Sequence, residues 1–208
     1  HFLRFNHFSR ERRGNSRWLT GPEVPAPRRL HSPAAPRNSP AAQYRWTLEF
    51  MEKVAVFVDV QNIYYTTKQI HQCHFDYNAF WAKATSDRKV VKAIAYAIER
   101  GDEKQKQFQN ILKGIGFELK LKPFIQRSDG SAKGDWDVGI TLDVMEHAKN
   151  TDVVVLASGD GDFDLLLSKT INDFGVSAEV YGVAQLTARS LINSASKFVP
   201  IEGDLLLQ

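Results

Sequence analysis

A single cysteine, Cys73, occurs in the 208 residues. No internal disulfide can form, no paired thiolate site can be built, and a reducing compartment is the default. No apolar run approaches the roughly 18 residues a membrane-spanning helix needs, and no basic leader is followed by an apolar core and a cleavage site. The chain is therefore expected in the cytoplasm, with no membrane partner. Lysine and aspartate are missing from residues 1–50, where nine Arg stand against three Glu. That segment carries +6 and residues 51–208 carry −3, so the overall +3 and the pI near 8.9 describe the first segment only. Overall basicity is then no argument for nucleic-acid binding by the remainder. Proline is scarce after residue 50: six of the eight are Pro22, Pro25, Pro27, Pro33, Pro36 and Pro40. At that density they remove backbone donors and forbid helix, and they spoil the amphipathic helix of a transit peptide. Residues 1–50 are expected to be a disordered Arg/Pro-rich leader. A strand pattern begins three residues after Met51, the first methionine. The leader is accordingly read as not native to the folded domain, expected over 51–203, with 204–208 as a tail.

What is present is organised around residues 151–163, Thr-Asp-Val-Val-Val-Leu-Ala-Ser-Gly-Asp-Gly-Asp-Phe. The uninterrupted aliphatic run reads as a strand buried on both faces, and it ends abruptly at Ser158. Asp160 and Asp162 then sit at the C-terminal mouth of a strand, the edge at which ligands bind in open α/β sheets. Further strands are expected at 54–58, 90–98, 117–125, 177–181 and 198–201. Helices are expected at 61–71, 102–115, 163–174 and 185–193, with a helix or turn at 75–84. One more helix, capped by Asp135 or Asp137, runs to about residue 149 with Val138, Leu142 and Met145 facing inward. Strands separated by helices imply parallel pairing with right-handed crossovers. The expected fold class is α/β, a three-layer α/β/α sandwich with a mainly parallel central sheet of five or six strands. With 43% hydrophobic residues, the chain suffices for one core of ordinary size.

Three separate stretches deliver acids to one edge of such a sheet. Asp59 ends the first strand with Asn62 three residues on, Asp135 and Asp137 follow the polar loop 128–134, and Asp160 and Asp162 end the fourth strand. Taken singly, each is a turn former or helix cap. Jointly they say more, because the first and fourth strands are natural neighbours across the point where strand order reverses. Carboxylates about 4 Å apart repel by roughly 1–4 kcal/mol per pair, so a crevice holding four needs a cation or takes up protons. Oxygen ligands without His or Cys point to Mg²⁺ or Mn²⁺ and away from zinc. Such a metal suits phosphodiester hydrolysis, with Asn62 orienting a phosphate oxygen or a water. Asp143 lies about 600° around the helix from Asp137 and off its face, either behind the ligands or solvated. Lys120, Lys122, Arg127 and Lys133 run toward the acids, to hold a strand's phosphates or to form a solvated face. Trp136 would stack on a base or pack under the helix, the second reading being preferred.

Three motifs carry a family resemblance: Phe57-Val58-Asp59-Val60-Gln61-Asn62, Lys133-Gly134-Asp135-Trp136-Asp137-Val138 through Leu142-Asp143, and Ser158-Gly159-Asp160-Gly161-Asp162-Phe163. Together they resemble the NYN domain in its bacterial LabA-like branch, a relative of the PIN nucleases, over nearly all of residues 51–201. The resemblance implies a PIN-like sheet and a metal-dependent ribonuclease site at Asp59, Asn62, Asp137, Asp160 and Asp162. The metal ligands would be Asp59, Asp137, Asp160 and Asp162, with Asp135, Asp143 and Ser158 behind them or as alternative ligands. The middle motif departs from the family by one extra residue and one extra acid, which leaves Asp135 and Asp137 competing for one role. Asp137 is preferred, because the Asp-Val that begins the helix matches.

The resulting expectation is a Mg²⁺- or Mn²⁺-dependent endoribonuclease acting on single-stranded or structured RNA. The alternative is a catalytically weak RNA-binding or regulatory module of the same fold. A phosphatase or nucleotide hydrolase ranks third, since nothing reads as a nucleoside pocket, and a homodimer is left open. His71-Gln72-Cys73-His74 lacks the second pair a zinc site needs, and neither a dinucleotide fingerprint, a Walker sequence nor a nucleophile turn occurs.

Overall fold

The computed structural model describes residues 39–40, 51–99, 101–123, 125–126, 132–133 and 135–207, with the backbone alone at 125–126 and 132–133. Apart from Ser39 and Pro40, the leader and its expected disorder lie outside the described residues. Strand β1 (Glu52–Asp59) leads into helix α1 (Val60–His71), followed by α2 (Tyr77–Thr85), β2 (Arg88–Glu99), α3 (Glu103–Ile115) and β3 (Glu118–Pro123). Then come α4 (Asp137–Ala148), β4 (Val153–Ala157), α5 (Asp164–Phe174), β5 (Ser177–Gly182), α6 (Arg189–Ser194) and β6 (Lys197–Pro200). The six strands form one parallel sheet in the order β3-β2-β1-β4-β5-β6. This is the α/β sandwich expected from the sequence, with its order reversing between β1 and β4.

The uninterrupted apolar runs follow from burial on both faces. Val54, Val56 and Val58, with Val153, Val155 and Ala157, pack against residues of α1, α2 and α3. The alternate residues Ala55, Phe57, Val154 and Leu156 pack against α4, α5 and α6. Fully burying a side chain such as Phe57 or Leu156 contributes about 1.5–3 kcal/mol, so the two central strands anchor both layers. Neighbouring β1 and β4 run in register from Val54 opposite Val153 to Val58 opposite Ala157. Their C-terminal ends lie side by side, while α1 leaves to one face and α5 to the other.

Two short antiparallel pairs flank the sheet. Ile125–Gln126 pairs with Ala132–Lys133, the intervening loop lying outside the described residues. Leu206–Leu207 pairs with His74–Phe75, Leu205 is buried, and its carbonyl accepts from the Asp76 amide at 2.9 Å. Residues of the 204–208 tail thus help to cover α2.

The phase of α4 corrects the sequence reading. Val138 and Leu142 are 69% and 65% exposed, while Ile140, Asp143, Val144 and Ala148 are buried and Met145 is only partly so. Both 138/142/145 and 140/144/148 are apolar series at helical spacing, and sequence periodicity does not choose between them. Asp143 decides it through its bonds to Tyr96 and Lys120, which turn the second series toward the sheet. Neither Asp135 nor Asp137 caps this helix: Trp136 holds the N-cap position, without a side-chain cap bond. Helix α6 also begins later than expected, because the amides of Leu186 and Thr187 both close a turn onto the Val183 carbonyl.

At the opposite edge of the sheet, Arg88 makes two bonds to the buried Glu179, at 2.8 and 3.2 Å, and one to Glu52 at 2.9 Å. Burial, the largest single effect, would raise the Glu179 pKa; the Arg88 hydrogen bonds and charge, together with Lys197, outweigh it and hold the carboxyl below its usual value. Arg88→Met should destabilise the fold by about 3 kcal/mol, the low end for breaking a buried pair, since Lys197 stands 3.7 Å from Glu179 as partial compensation. Urea unfolding of the two chains at pH 7 measures this loss.

Candidate active site

Asp59 is the last residue of β1 and the N-cap of α1, its carboxylate accepting the Asn62 amide at 3.0 Å. A strand that turns directly into a helix leaves orphan amides, and an acid at that junction satisfies one of them. The cap also brings Asn62 round to the neighbouring strand end, where its Oδ1 accepts the Gly159 amide at 2.9 Å. Ser158, the first residue past β4, donates its hydroxyl to Asp59 at 3.5 Å and accepts the Asp160 amide at 3.2 Å. Asp160 in turn accepts the Asp162 amide at 3.0 Å, capping the short 3₁₀ turn Gly161–Phe163. The Gly159 carbonyl accepts the Ala188 amide at 3.0 Å, and a Cβ on Gly161 would lie 2.9 Å from that of Ala188 and 3.4 Å from the Ser190 hydroxyl. Glycine at 161 therefore lets the loop lie directly on the start of α6.

The charges on this edge share one field. Asp59, 9% exposed, is pushed up to about 6, first by burial and then by Asp137 and Asp160; the Asn62 amide and Ser158 hydroxyl oppose this only in part. Asp137 is also raised, by burial and then by Asp160, Asp135 and Asp162, against Lys122. Acids from the ends of β1 and β4 and from the head of α4 are thus close enough to perturb one another. Asp135 and Asp162 are exposed, and Asp137 is half-buried.

The remaining candidates are otherwise engaged. Asp143 is buried rather than solvated, accepting the Tyr96 hydroxyl at 2.6 Å and the Lys120 ammonium at 2.8 Å on both oxygens. Burial and that bond raise the Tyr96 phenol far above its usual value. Lys120 therefore spends its charge within the protein. Lys122 donates to the Asp135 carbonyl at 2.6 Å and stands 4.3 Å from the Trp136 ring centroid. The indole of Trp136 donates to the Ala97 carbonyl at 3.0 Å and packs 5.3 Å from the Tyr96 ring, with Gly139 leaving it room. Arg127 lies outside the described residues, as does the side chain of Lys133. Arg189 is exposed at the head of α6, next to the Ser190 that faces Gly161. No local pattern marks it, because only the docking of α6 on the loop brings it there.

The donors are oxygens alone, which suits a hard divalent cation in kind. Among the described residues, no three His, Cys, Asp or Glu side chains stand as a ready-made coordination set. Among the same residues no helix is long and apolar enough to cross a membrane.

Fold and edge together define a PIN-like α/β/α sandwich with an acidic cluster at its switch point. The NYN domain model matches residues 53–202, and the chain belongs to that family, whose members are generally PIN-like nucleases using divalent metals. It is 26% identical over 163 residues to the Low amplitude and bright protein LabA of Synechococcus elongatus, covering 72% of this chain and 83% of that protein. A crystal structure of a protein of unknown function from Vibrio parahaemolyticus is 55% identical, with a TM-score of 0.72 over 76% of this chain and 97% of that one.

Replacing Asp59 by Asn keeps an acceptor for the Asn62 amide and removes the charge. A carboxyl with a folded pKa near 6 against 3.8 unfolded weakens the fold as pH rises through that interval. Chelator-treated Asp59→Asn should thus be more stable than the unsubstituted chain above pH 7, by about 1–3 kcal/mol. The gain should fade between pH 6 and pH 4 in pH-resolved thermal unfolding.

Proposed function

We propose that this chain is a metal-dependent endoribonuclease that hydrolyses RNA phosphodiester bonds at the edge formed by Asp59, Asn62, Asp137, Asp160 and Asp162. The observation that carries the reading is the shared field of Asp59, Asp137 and Asp160, three acids from separate segments of which one is buried and short of hydrogen-bond donors. Membership of a family of PIN-like nucleases supports it. Mg²⁺ or Mn²⁺ held by Asp59, Asp137, Asp160 and Asp162 would supply the positive charge that phosphodiester hydrolysis at an acidic edge requires.

The chain's own groups then divide the work. Asn62 fixes the two strand ends together through Gly159, and its amide NH₂ serves as a donor to a phosphate oxygen. Ser158 orients Asp59 and the Asp160 backbone at once. Between the two acids of the middle motif, Asp137 takes the ligand's role, because it is half-buried and directly perturbs Asp59, whereas Asp135 is exposed. Lys122, held on the Asp135 carbonyl, tempers the charge of Asp137, while Lys120, held by Asp143, positions β3 against α4. A cytoplasmic enzyme acting on single-stranded or structured RNA fits these features.

The second reading, a catalytically weak RNA-binding module, is favoured by the absence of a ready-made coordination set among the described residues. Labelled single-stranded RNA and DNA incubated with Mn²⁺, Mg²⁺ or chelator separate the two. Metal-dependent RNA cleavage should fall at least about 100-fold in Asp160→Asn with binding retained. RNA binding without cleavage under either metal, by folded protein, would establish the module instead.

A further inference from the structure

We propose that Tyr64 and Tyr65 form a platform on which bases of a single-stranded RNA stack, beside Asn62 on the same helix. This rests on the RNA reading of the acidic edge and names how the strand is held there.

Helix α1 buries Val60, Ile63 and Thr67 and leaves Tyr64 and Tyr65 46% and 49% exposed. The two rings meet edge to face, with centroids 5.3 Å apart and planes at 75°, and the His74 ring stands 6.0 Å from Tyr64 at 32°. The aromatic pair is thus braced rather than loosely solvated. Residues three apart on a helix are surface neighbours, so Tyr65 adjoins Asn62, and at 1.5 Å per residue it lies only about 4.5 Å farther along the axis. Tyr65 thus links the platform to the turn of helix that carries Asn62, and Tyr64 lies farther round the helix.

Electrostatics makes such a platform necessary. Residues 51–208 carry a net −3, and the acids at the strand ends repel phosphates until a cation arrives. Of the lysines near the site, Lys120 is committed to Asp143 and Lys122 to the Asp135 carbonyl and the Trp136 ring. Stacking depends on no charge and tolerates any base, since every base has a π-face. Val138, Leu142 and Leu165 are more exposed still, at 69%, 65% and 78%, but aliphatic side chains offer a base no such face. Because a base must be unstacked from its partners to reach an aromatic side chain, the platform selects single strands over duplex.

The test uses the full chain in an Asp160→Asn background with Mn²⁺, and fluorescently labelled single-stranded oligouridine, oligoadenosine and an RNA duplex. The double substitution Tyr64→Ala/Tyr65→Ala should weaken single-strand binding about 5- to 100-fold for both sequences, leaving duplex binding within about twofold. Phe at both positions should restore binding, because the ring and not the hydroxyl is the contact. With Asp160 intact, the Ala pair should raise KM far more than it lowers kcat. An unchanged urea midpoint shows that the Ala pair is folded. If that folded pair binds single strands as tightly as its parent, or if Phe fails as Ala does, the platform is wrong while metal-dependent cleavage by the unsubstituted chain stands. If the unsubstituted chain neither binds nor cuts single-stranded RNA, the RNA reading falls and the platform with it.

Discussion

The amide of Gly159 reaches 2.9 Å across the switch point to the Asn62 side chain, and the arrangement of the site depends on that bond. Parallel β1 and β4 are held together along their length by the ladder, but the ladder ends at Val58 and Ala157. Beyond it the chains depart to opposite faces, and nothing in sheet geometry obliges the two strand ends to stay close. Asn62 carries the connection two residues past Ala157. It does so from the first turn of a helix whose start is set by Asp59, so one short stretch both supplies an acid and fixes its distance from the acids of the next strand. The Ser158 hydroxyl repeats the connection from the other side.

Two buried aspartates show what the protein does with such a group when it is structural and when it is not. Asp143 is matched by a lysine on both oxygens and by a phenol, and this triad locks α4 onto β2 and β3. Asp59, equally buried, has one backbone amide and a hydroxyl at 3.5 Å, and faces two further acids. A folded chain tolerates one such uncompensated carboxyl because the two-sided core is large, and an uncompensated carboxyl of this kind marks a functional edge rather than a framework contact. The same comparison separates the basic residues: Lys120 belongs to the framework, and Arg189 stands exposed at the head of α6.

Much of the architecture was legible because its strands are buried on both faces. The runs at 54–58 and 153–157 have no competing periodicity, and their polar endings by themselves place acids at the sheet edge. The phase of α4 was not legible, because the helix carries apolar residues on two faces and the deciding partner, Asp143, is polar and reads as solvated or as lying behind the ligands. Leu205 and the strand Leu206–Leu207 were missed because a short segment gains order only from His74–Phe75, far away in sequence. Among candidate site residues, Asp59, Asn62 and Asp160 were visible from strand endings alone. Arg189 and the pair Tyr64 and Tyr65 had no local signature, since their relevance comes from what lies beside them in space.

Asp59 and Asp160 are 101 residues apart in the chain, and the strand pairing that unites them encloses two other strands of the sheet and their helices. Contacts of such long range close late in folding, after local helices and nearer pairings have offset some of the lost chain entropy. Mutual repulsion among Asp59, Asp137 and Asp160 is therefore deferred to the final consolidation, when the surrounding packing is already in place to bear it. A partly folded chain has its acids dispersed and hydrated, so the raised pKa of Asp59 should emerge only with the complete sheet and serve as a reporter of native assembly.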